Sequence, residues 1–331
     1  MNAAVFDQYG EPSEVLRYAE VPTPVPGPGQ VLVRMIASPI NPSDIMTIRG
    51  KYMVNLTLPA TPGYEGVGVV ESAGPGLLGS FMKGRRVAVL NQAGGNWAEY
   101  VVVKANRVVP VPKDLPDEQV ASFFINPATA LAMVRKVLQV PKGAWLLQSA
   151  AGSTLGKMII KLGKHDGFKT LNVVRRHEAI DELKALGADA VISSSDGPIE
   201  DQVRKIVGVD GVKYAIDPVG GSTGSAIYDS LALDGRMLVY GTLSYEPLTL
   251  RTRSLIAGKR IEGFYLGHFM LGRSILKNIK MFREIGGLIR EGVLESEPGE
   301  SFPLDRIAEA VRASEVVGKK GKVLLTIGHR A

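Results

Sequence analysis

Two adjacent arginines, Arg175 and Arg176, end an apolar segment near the middle of the chain and could bind an anionic group. The small-residue turn AGSTLG, at positions 151–156, precedes them by about 20 residues. The order of apolar run, turn, amphipathic segment and second apolar run predicts a strand, a helix and a strand. In such a unit a carboxylate after the second strand binds the ribose hydroxyl, whereas a cation there accepts a 2′-phosphate. The arginine pair therefore predicts NADPH as the cofactor.

The turn alone is a weaker signal, because it has the pattern A-x-S-x-x-G instead of G-x-G-x-x-G. Gly156 holds the third position, where a side chain would separate the helix from the strand. The turn residues expected to contact the cofactor, largely through main-chain N–H groups, are Gly152, Ser153, Thr154, Leu155 and Gly156. Two alternatives stay open. Glu178 could bind the ribose instead, and the turn could belong to an α/β domain that binds no nucleotide.

The composition sets limits on the class of protein. A chain of 331 residues that is 45% hydrophobic favours two domains. Because there is no cysteine, disulfides, thiolate zinc sites and thiol nucleophiles are excluded. No run reaches transmembrane length and no basic-apolar leader is present, so we expect a cytoplasmic protein with no membrane partner. The net charge is +6, but the 39 Lys and Arg are dispersed, and we expect no nucleic-acid partner.

Residues 1–120 are predicted to form a β-rich, barrel-like domain, because short apolar runs alternate there with Gly/Pro turns. Strands are expected at 31–36, 67–70, 86–90 and 97–103. The spacing of the apolar residues changes near residue 117. Further on, Asn126 and Pro127 predict the N-cap and the first residue of a helix.

Residues 121–268 are predicted to form a doubly wound parallel sheet, because strand and helix patterns alternate. The six strands are expected near 144–149, 169–174, 189–193, 212–217, 236–241 and 260–266. Residues 269–331 contain two helical patterns and a last strand at 321–327, and we expect them to pack back on the first domain. The predicted fold class is thus α/β.

With both domains placed, the chain resembles the zinc-independent branch of the medium-chain dehydrogenase/reductase superfamily over essentially its whole length. It is most similar to the 2-enoyl thioester reductases and next to the quinone oxidoreductases. The segments that carry the resemblance are INPSDIMTIRGKY (40–52), LPATPGYEGVGVV (58–70), INPATAL (125–131), TLNVVRR (170–176) and RIEGFYL (260–266). The resemblance implies a GroES-like β-barrel catalytic domain, a Rossmann domain, and hydride transfer from NADPH to an activated C=C bond.

The zinc enzymes of the superfamily carry a cysteine about where Asn41 stands, and a histidine where this chain has Tyr64. A catalytic zinc needs at least three good ligands and an open position. The four histidines, at positions 165, 177, 268 and 329, do not have ligand spacing. We therefore expect no metal site.

Tyr52 is the candidate proton donor to the α-carbon of the substrate. From the sequence alone, a tyrosine in a GKY loop is usually a surface or packing residue. The resemblance changes this, because the family's catalytic tyrosine follows the pattern N-P-S-D-x-x-x-x-x-G-x-Y, which Tyr52 completes. A phenol with a reference pKa of about 10 is protonated at neutral pH. Asn41 could orient the substrate or merely form an Asn-Pro turn, and Asp44 is expected to hydrogen-bond the same turn.

The resemblance also implies cofactor contacts outside the turn. The residues concerned are Asn126, Thr129, Gly241, Thr242, Leu243, Phe264, Tyr265, Leu266 and Lys322. A helix cap is the alternative role for Asn126, and a solvated position before an edge strand is the alternative for Lys322. Tyr265 stands where the family has tryptophan, a change that would reshape the acyl pocket.

Other functions stay open at this point. A reductase of quinones or small enones would use the same hydride geometry without Tyr52, and a nucleotide-binding scaffold would hold NADPH without turnover. A basic group of Arg251, Arg253, Lys259 and Arg260 could attract the phosphates of a thioester substrate or be plain surface. A homodimer joined at the sixth strand is expected by similarity.

Overall fold

The computed structural model describes residues 1–328, which fold into two compact units. Unit 1 consists of Met1–Ile125, Phe282–Arg290 and the described residues from Glu295 onwards. Unit 2 consists of Asn126–Met281 and Glu291–Leu294. Most of the segment after residue 269 therefore belongs to unit 1.

The strands are β1 Asn2–Val5, β2 Arg17–Glu20, β3 Gln30–Pro39, β4 Glu65–Ala73, β5 Arg86–Leu90, β6 Tyr100–Lys104, β7 Val108–Pro110, β8 Trp145–Gln148, β9 Lys169–Val174, β10 Ala190–Ser193, β11 Val212–Asp217, β12 Leu231–Val239, β13 Arg260–Gly263, β14 Pro298–Pro303 and β15 Lys322–Thr326. The α-helices are α1 Pro12–Val15, α2 Pro42–Ile48, α3 Leu77–Met82, α4 Asp117–Ala121, α5 Ile125–Leu131, α6 Thr154–Asp166, α7 Glu178–Ala185, α8 Ile199–Val207, α9 Gly221–Asp229, α10 Thr252–Ile256, α11 Leu266–Leu271, α12 Ile275–Arg290 and α13 Ile307–Glu315. A π-helix, Ala132–Leu138, continues α5, and short 3₁₀ turns occupy Ala105–Arg107, Ser194–Asp196 and Leu304–Arg306.

Unit 2 contains a six-stranded sheet in the order β10-β9-β8-β11-β12-β13, with every neighbouring pair parallel. The predicted doubly wound sheet is confirmed. Its strands are apolar because helices cover both faces of such a sheet. Leu147, Leu171 and Ala215 lie side by side across three strands and are fully buried.

Unit 1 contains a seven-stranded sheet in the order β14-β15-β3-β4-β5-β7, with β6 paired to β3. All of its pairs are antiparallel except β14 with β15. Alternate residues of β3, including Val31, Val33 and Met35, are fully buried in the core of this sheet. The predicted β-rich first domain is thus confirmed, and β15 joins it by pairing with β3.

Candidate active site

The turn after β8 carries the predicted phosphate-binding residues of unit 2. Ser153 is the N-cap of α6, and its side chain accepts a hydrogen bond from the Gly156 N–H at 3.1 Å. Thr154 and Leu155 form the first turn of this helix. A Cβ atom on Gly156 would lie 2.4 Å from the Ala151 carbonyl oxygen. The close approach that the sequence predicts for the third position of the turn is therefore present.

Two glycines of this turn make a matched pair of tests. Gly156→Ala places a methyl group against the main chain, so we expect the free energy of unfolding to fall by about 1–3 kcal/mol. Gly152→Ala meets no heavy atom within 4 Å, so we expect its stability to stay within about 0.5 kcal/mol of the parent. Urea unfolding of both variants measures the difference. An equal loss in both would contradict the packing argument.

Arg175 and Arg176 follow β9 directly, and both side chains are exposed. Within residues 1–328, neither arginine has an acidic partner. The neighbouring carboxylate of Asp196 lies 2.9 Å from the Nε2 atom of His177 instead. Glu178, the alternative ribose ligand, opens α7 and is exposed. The end of β9 therefore presents two guanidinium groups that no carboxylate neutralises.

A carboxylate that the sequence analysis missed orders the edge of the sheet where its strands end. Asp217, the last residue of β11, accepts hydrogen bonds from the Gly220 N–H at 2.8 Å and from the Ser149 hydroxyl. Burial raises the pKa of Asp217. The Leu243 N–H donates to the Pro218 carbonyl at 3.0 Å. The loops after β8, β11 and β12 are thereby tied together at the carboxyl edge of the sheet, where such folds bind ligands.

The predicted cofactor residues that follow β12 and β13 lie in loops and helix starts. The loop after β12 contains Gly241, Thr242 and Leu243. Strand β12 itself begins at Leu231 and not near residue 236, where the sequence predicts it. The predicted strand 260–266 is too long, because β13 ends at Gly263. Tyr265 is the N-cap of α11 and Leu266 its first residue, so the chain turns away from the sheet at Phe264. All three of these side chains are half-buried.

A buried carboxylate in unit 1, Glu65, caps the start of α5. Its Oε2 atom accepts hydrogen bonds from the Phe124 N–H at 3.0 Å and from the Ile125 N–H at 2.8 Å. The helix therefore begins at Ile125, and the prediction that Asn126 is the N-cap is wrong. Asn126 instead lies within the first turn, and Thr129 is buried further along the helix.

Four buried side chains of unit 1 form one polar cluster: Asn41, Asp44, Glu65 and Lys322. The Asn41 amide donates to Glu65 at 3.0 Å and accepts from the Lys322 ammonium. Asp44 accepts from the Asn41 N–H at 2.7 Å, as predicted for this turn. The alternative of a solvated Lys322 is wrong, because β15 lies between β14 and β3 and buries this side chain. The structure thus joins two predicted site residues, Asn41 and Lys322, which are far apart in the sequence.

Burial dominates the electrostatics of this cluster. It raises the pKa of Asp44 to about 7 and lowers the pKa of Lys322 to about 8. The pKa of Glu65 is also raised by burial, although the Ile125 N–H and the nearby Lys322 favour its charged form. One ammonium group therefore lies among two carboxyl groups that burial makes easier to protonate.

This cluster predicts a pH dependence of stability. Because the pKa of Asp44 is about 7 in the folded chain against 3.8 for the reference group, the folded state binds the extra proton between these values. The contribution of Asp44 to the free energy of unfolding is complete below about pH 4 and is lost as the pH rises through about 7. We expect the parent to lose about 1–3 kcal/mol more than Asp44→Asn between pH 5 and pH 8, measured by urea unfolding. Parallel curves for the two proteins would refute this.

Tyr52 lies in the loop after α2 and is half-buried. Its ring packs against that of Tyr64, with 5.8 Å between the ring centroids. The Tyr64 hydroxyl lies 2.6 Å from the Thr47 hydroxyl on α2. The same helix α2 begins next to Asn41, its N-cap. Tyr52 therefore packs on Tyr64, whose hydroxyl contacts helix α2, and the N-cap of this helix, Asn41, belongs to the buried polar cluster.

The predicted basic group lies away from the carboxyl edge of the parallel sheet. Lys259 and Arg260 are at the start of β13, and a pocket of about 590 Å³ there is lined by Arg251, Arg253 and Lys259. Arg251 pairs with Asp229 at 3.1 Å, so the pocket contains both positive and negative side chains. Phosphates of a substrate bound at the carboxyl edge would not meet this group.

Two family models and many known proteins match this chain. Residues 27–113 match the alcohol dehydrogenase GroES-like domain, and residues 154–282 match the zinc-binding dehydrogenase domain. A mitochondrial enoyl-[acyl-carrier-protein] reductase of Arabidopsis thaliana is 33% identical over 97% of this chain and 86% of its own length. The chain belongs to the medium-chain dehydrogenase/reductase superfamily. The resemblance seen in the sequence is therefore confirmed.

Solved structures of the medium-chain dehydrogenase/reductase superfamily agree with this assignment. A Bacillus thuringiensis protein assigned as an NADPH:quinone reductase superimposes with a TM-score of 0.92 and 32% identity over 98% of both chains. A mycobacterial protein solved with NADPH superimposes with a TM-score of 0.89 and 27% identity, covering 98% of this chain and 100% of that one.

The name of the second model mentions zinc, but the side chains of this superfamily member do not fit a zinc site. Asn41 and Tyr64 stand where the zinc enzymes have cysteine and histidine. Asn41 is bonded to Glu65 and Lys322, and the Tyr64 hydroxyl contacts Thr47. An amide, a phenol and an ammonium group are not the ligands that zinc takes in proteins, and the two carboxylates of the cluster, Asp44 and Glu65, fall short of the three ligands of a catalytic zinc. Residues 1–328 hold no cluster of three or more His, Asp or Glu side chains that could bind a metal, and His329 lies outside the described residues.

Proposed function

We propose that this chain is an NADPH-dependent reductase of the C=C bond of 2-enoyl thioesters. Three relatives named enoyl-[acyl-carrier-protein] reductase match 97–99% of the chain at 29–34% identity. The observation that carries the proposal is the placement of Tyr52, half-buried against Tyr64 on the framework of the buried polar cluster. A quinone reductase has no need of a proton donor at this position.

The residues of unit 2 fit NADPH. The exposed guanidinium groups of Arg175 and Arg176 would hold the 2′-phosphate, and the N-terminal turn of α6 would hold the pyrophosphate. The loop at Gly241 to Leu243 and the segment Phe264 to Leu266 would line the nicotinamide. Bound NADPH supplies a hydride to the β-carbon of the thioester.

The residues of unit 1 would perform the remaining chemistry. As the β-carbon gains a hydride, the substrate becomes an enolate whose oxygen needs hydrogen-bond donors. The Tyr52 phenol would donate a proton to the α-carbon, which completes the saturated thioester. Asn41, fixed by Glu65 and Lys322, would orient the substrate, and Lys322 would contact the cofactor.

A reductase of quinones or small enones is the second candidate. It is favoured by the superposition on the Bacillus thuringiensis protein assigned as an NADPH:quinone reductase. Tyr265, which replaces the tryptophan of the enoyl reductases, also argues for a differently shaped pocket.

A steady-state screen separates these candidates. NADPH oxidation is followed with 2-enoyl-CoA thioesters of graded chain length and with several quinones. We expect kcat/KM for the best thioester to exceed that for every quinone by at least about tenfold, because only the thioester uses the proton donor. Faster turnover of quinones would support the second candidate, and NADPH binding without turnover of either class would support a scaffold.

We further propose how the chain divides into domains. Residues 1–120 are the proposed catalytic domain, 121–268 the NADPH domain and 269–331 the return to the first domain.

Strand β13 is the last strand of its sheet, and we propose that two copies pair there as a homodimer. We also propose a cytoplasmic role in fatty-acid metabolism; without cysteine, the chain needs no oxidising compartment to form disulfides. In the described part of the chain, no helix is long and apolar enough to span a bilayer.

A further inference from the structure

Helix α3 of unit 1 exposes its apolar side and buries its smallest residue. Gly79 faces the sheet, because a Cβ atom there would lie 3.1 Å from the Ala73 Cβ and 3.3 Å from Val31. Met82, three residues later, packs on the core of the same sheet. The opposite side carries Leu77, Leu78 and Phe81, which are 82%, 47% and 69% exposed. These three residues, at spacings of i, i+1 and i+4, form one continuous surface, called here the α3 patch.

The arrangement is the reverse of an ordinary surface helix, whose apolar side faces the core. A large apolar side chain that is 82% exposed, as Leu77 is, projects beyond its neighbours. Isolated exposed apolar residues are common on proteins, but a cluster of three on one helical turn is typical of a binding surface.

Four cations lie in segments next to helix α3. Lys83 and Arg85 follow the helix, Lys104 precedes the 3₁₀ turn that contacts it, and Arg107 is the last residue of that turn. Among the described residues, none of these four cations has an ion-pair partner. These four residues are the basic rim of the patch.

Acidic residues are almost absent from the surrounding chain. No Asp or Glu occurs between Glu71 and Glu99, or from residue 100 to residue 113. Glu71 pairs with Arg34, and Glu99 accepts two hydrogen bonds from Asn2. The positive charge beside the α3 patch is therefore not balanced locally.

We propose that the α3 patch and its basic rim bind the surface of an anionic lipid membrane. Apolar side chains on one face of a short helix, combined with adjacent Lys and Arg, are the combination that inserts into the headgroup region of anionic bilayers. The cations are attracted to the negative lipid surface, and Leu77 and Phe81 reach into its apolar boundary. This proposal departs from the expectation of no membrane partner, which the sequence analysis based on the lack of a transmembrane run and of a leader, and it is independent of the proposed reaction.

The size of the surface favours a membrane over a protein partner. The three side chains expose on the order of 300 Å² of apolar surface. A stable protein complex buries about 800 Å² on each partner, with aromatic and apolar residues at its centre. A bilayer sets no such requirement, because a few inserted side chains and a few cations act together.

Vesicle sedimentation tests this proposal. The full chain is spun with vesicles of phosphatidylcholine alone, and with vesicles of equal parts phosphatidylcholine and phosphatidylglycerol. We expect binding only to the second kind, weakened at least about tenfold by molar salt because the ionic attraction is screened. The double variant Leu77→Ser/Phe81→Ser should lose at least about tenfold in affinity, and so should Lys83→Gln/Arg85→Gln.

The matched control is Val209→Ser/Leu233→Ser, which removes two exposed apolar side chains from unit 2. We expect it to bind like the parent. Circular dichroism and turnover of a soluble thioester should be unchanged in all three double variants, so a loss of binding cannot reflect unfolding. No binding of the parent to anionic vesicles, or equal binding of parent and patch variants, would overturn the proposal. Binding of an acidic protein in place of vesicles would overturn it as well.

Discussion

Tyr52→Phe lowers kcat/KM for a 2-enoyl thioester by about 10²- to 10⁴-fold, the usual contribution of a general acid in an enzyme. The ring keeps its packing against Tyr64, because only the hydroxyl is removed. The KM for NADPH should stay close to that of the parent, since the residues proposed to bind the cofactor lie in unit 2 and in the buried polar cluster. Stopped-flow measurement of NADPH oxidation with crotonyl-CoA gives the rate of the chemical step.

Tyr18→Phe is the matched control for this prediction. Tyr18 lies on β2 of the same unit and is exposed, and its hydroxyl has no proposed role. This variant should turn over thioesters at the parental rate. If Tyr52→Phe reduces the thioester as fast as the parent does, Tyr52 has no part in the mechanism. That result would favour the quinone reductase as the function.

Replacement of Arg175 and Arg176 by alanine raises the KM for NADPH by about 10²- to 10⁴-fold. The reason is the loss of charge-assisted hydrogen bonds to the 2′-phosphate, each of which contributes about 1.5–3 kcal/mol. NADH lacks this phosphate, so its KM should remain at the parental value. Because neither arginine is paired with a carboxylate among residues 1–328, their removal leaves no uncompensated acidic group there.

The control for net charge is Arg251→Ala/Arg253→Ala, which removes two cations elsewhere in unit 2. We expect this variant to keep the preference for NADPH. Equal losses with NADPH and NADH in the Arg175/Arg176 variant would mean that these residues act on stability and not on cofactor choice.

The parallel sheet could be predicted because its evidence is local. Each strand of unit 2 is a short apolar run bounded by turns, and the small-residue turn and the arginines occur at fixed distances along the chain. The start of β12 and the end of β13 are less predictable, since hydrophobic pattern alone does not show where the chain enters or leaves the sheet.

The candidate site depends on contacts that no local pattern contains. Glu65 caps α5 from 60 residues away, and Lys322 contacts Asn41 from 281 residues away. The local pattern therefore predicts an N-cap at Asn126, although the carboxylate of Glu65 already satisfies the first N–H groups of the helix. One signal was available: Glu65 is a lone carboxylate at the start of the apolar strand EGVGVV, and a buried carboxylate needs partners.

The most direct test of the proposed reaction follows the hydrogen atoms. NADPH carrying deuterium at both C4 positions of the nicotinamide is incubated with the protein and crotonyl-CoA in ordinary water, and the product is examined by NMR. We expect butyryl-CoA with one deuterium at the β-carbon and one solvent hydrogen at the α-carbon. Deuterium at the α-carbon, or no saturated thioester while quinones are reduced under the same conditions, would contradict the account.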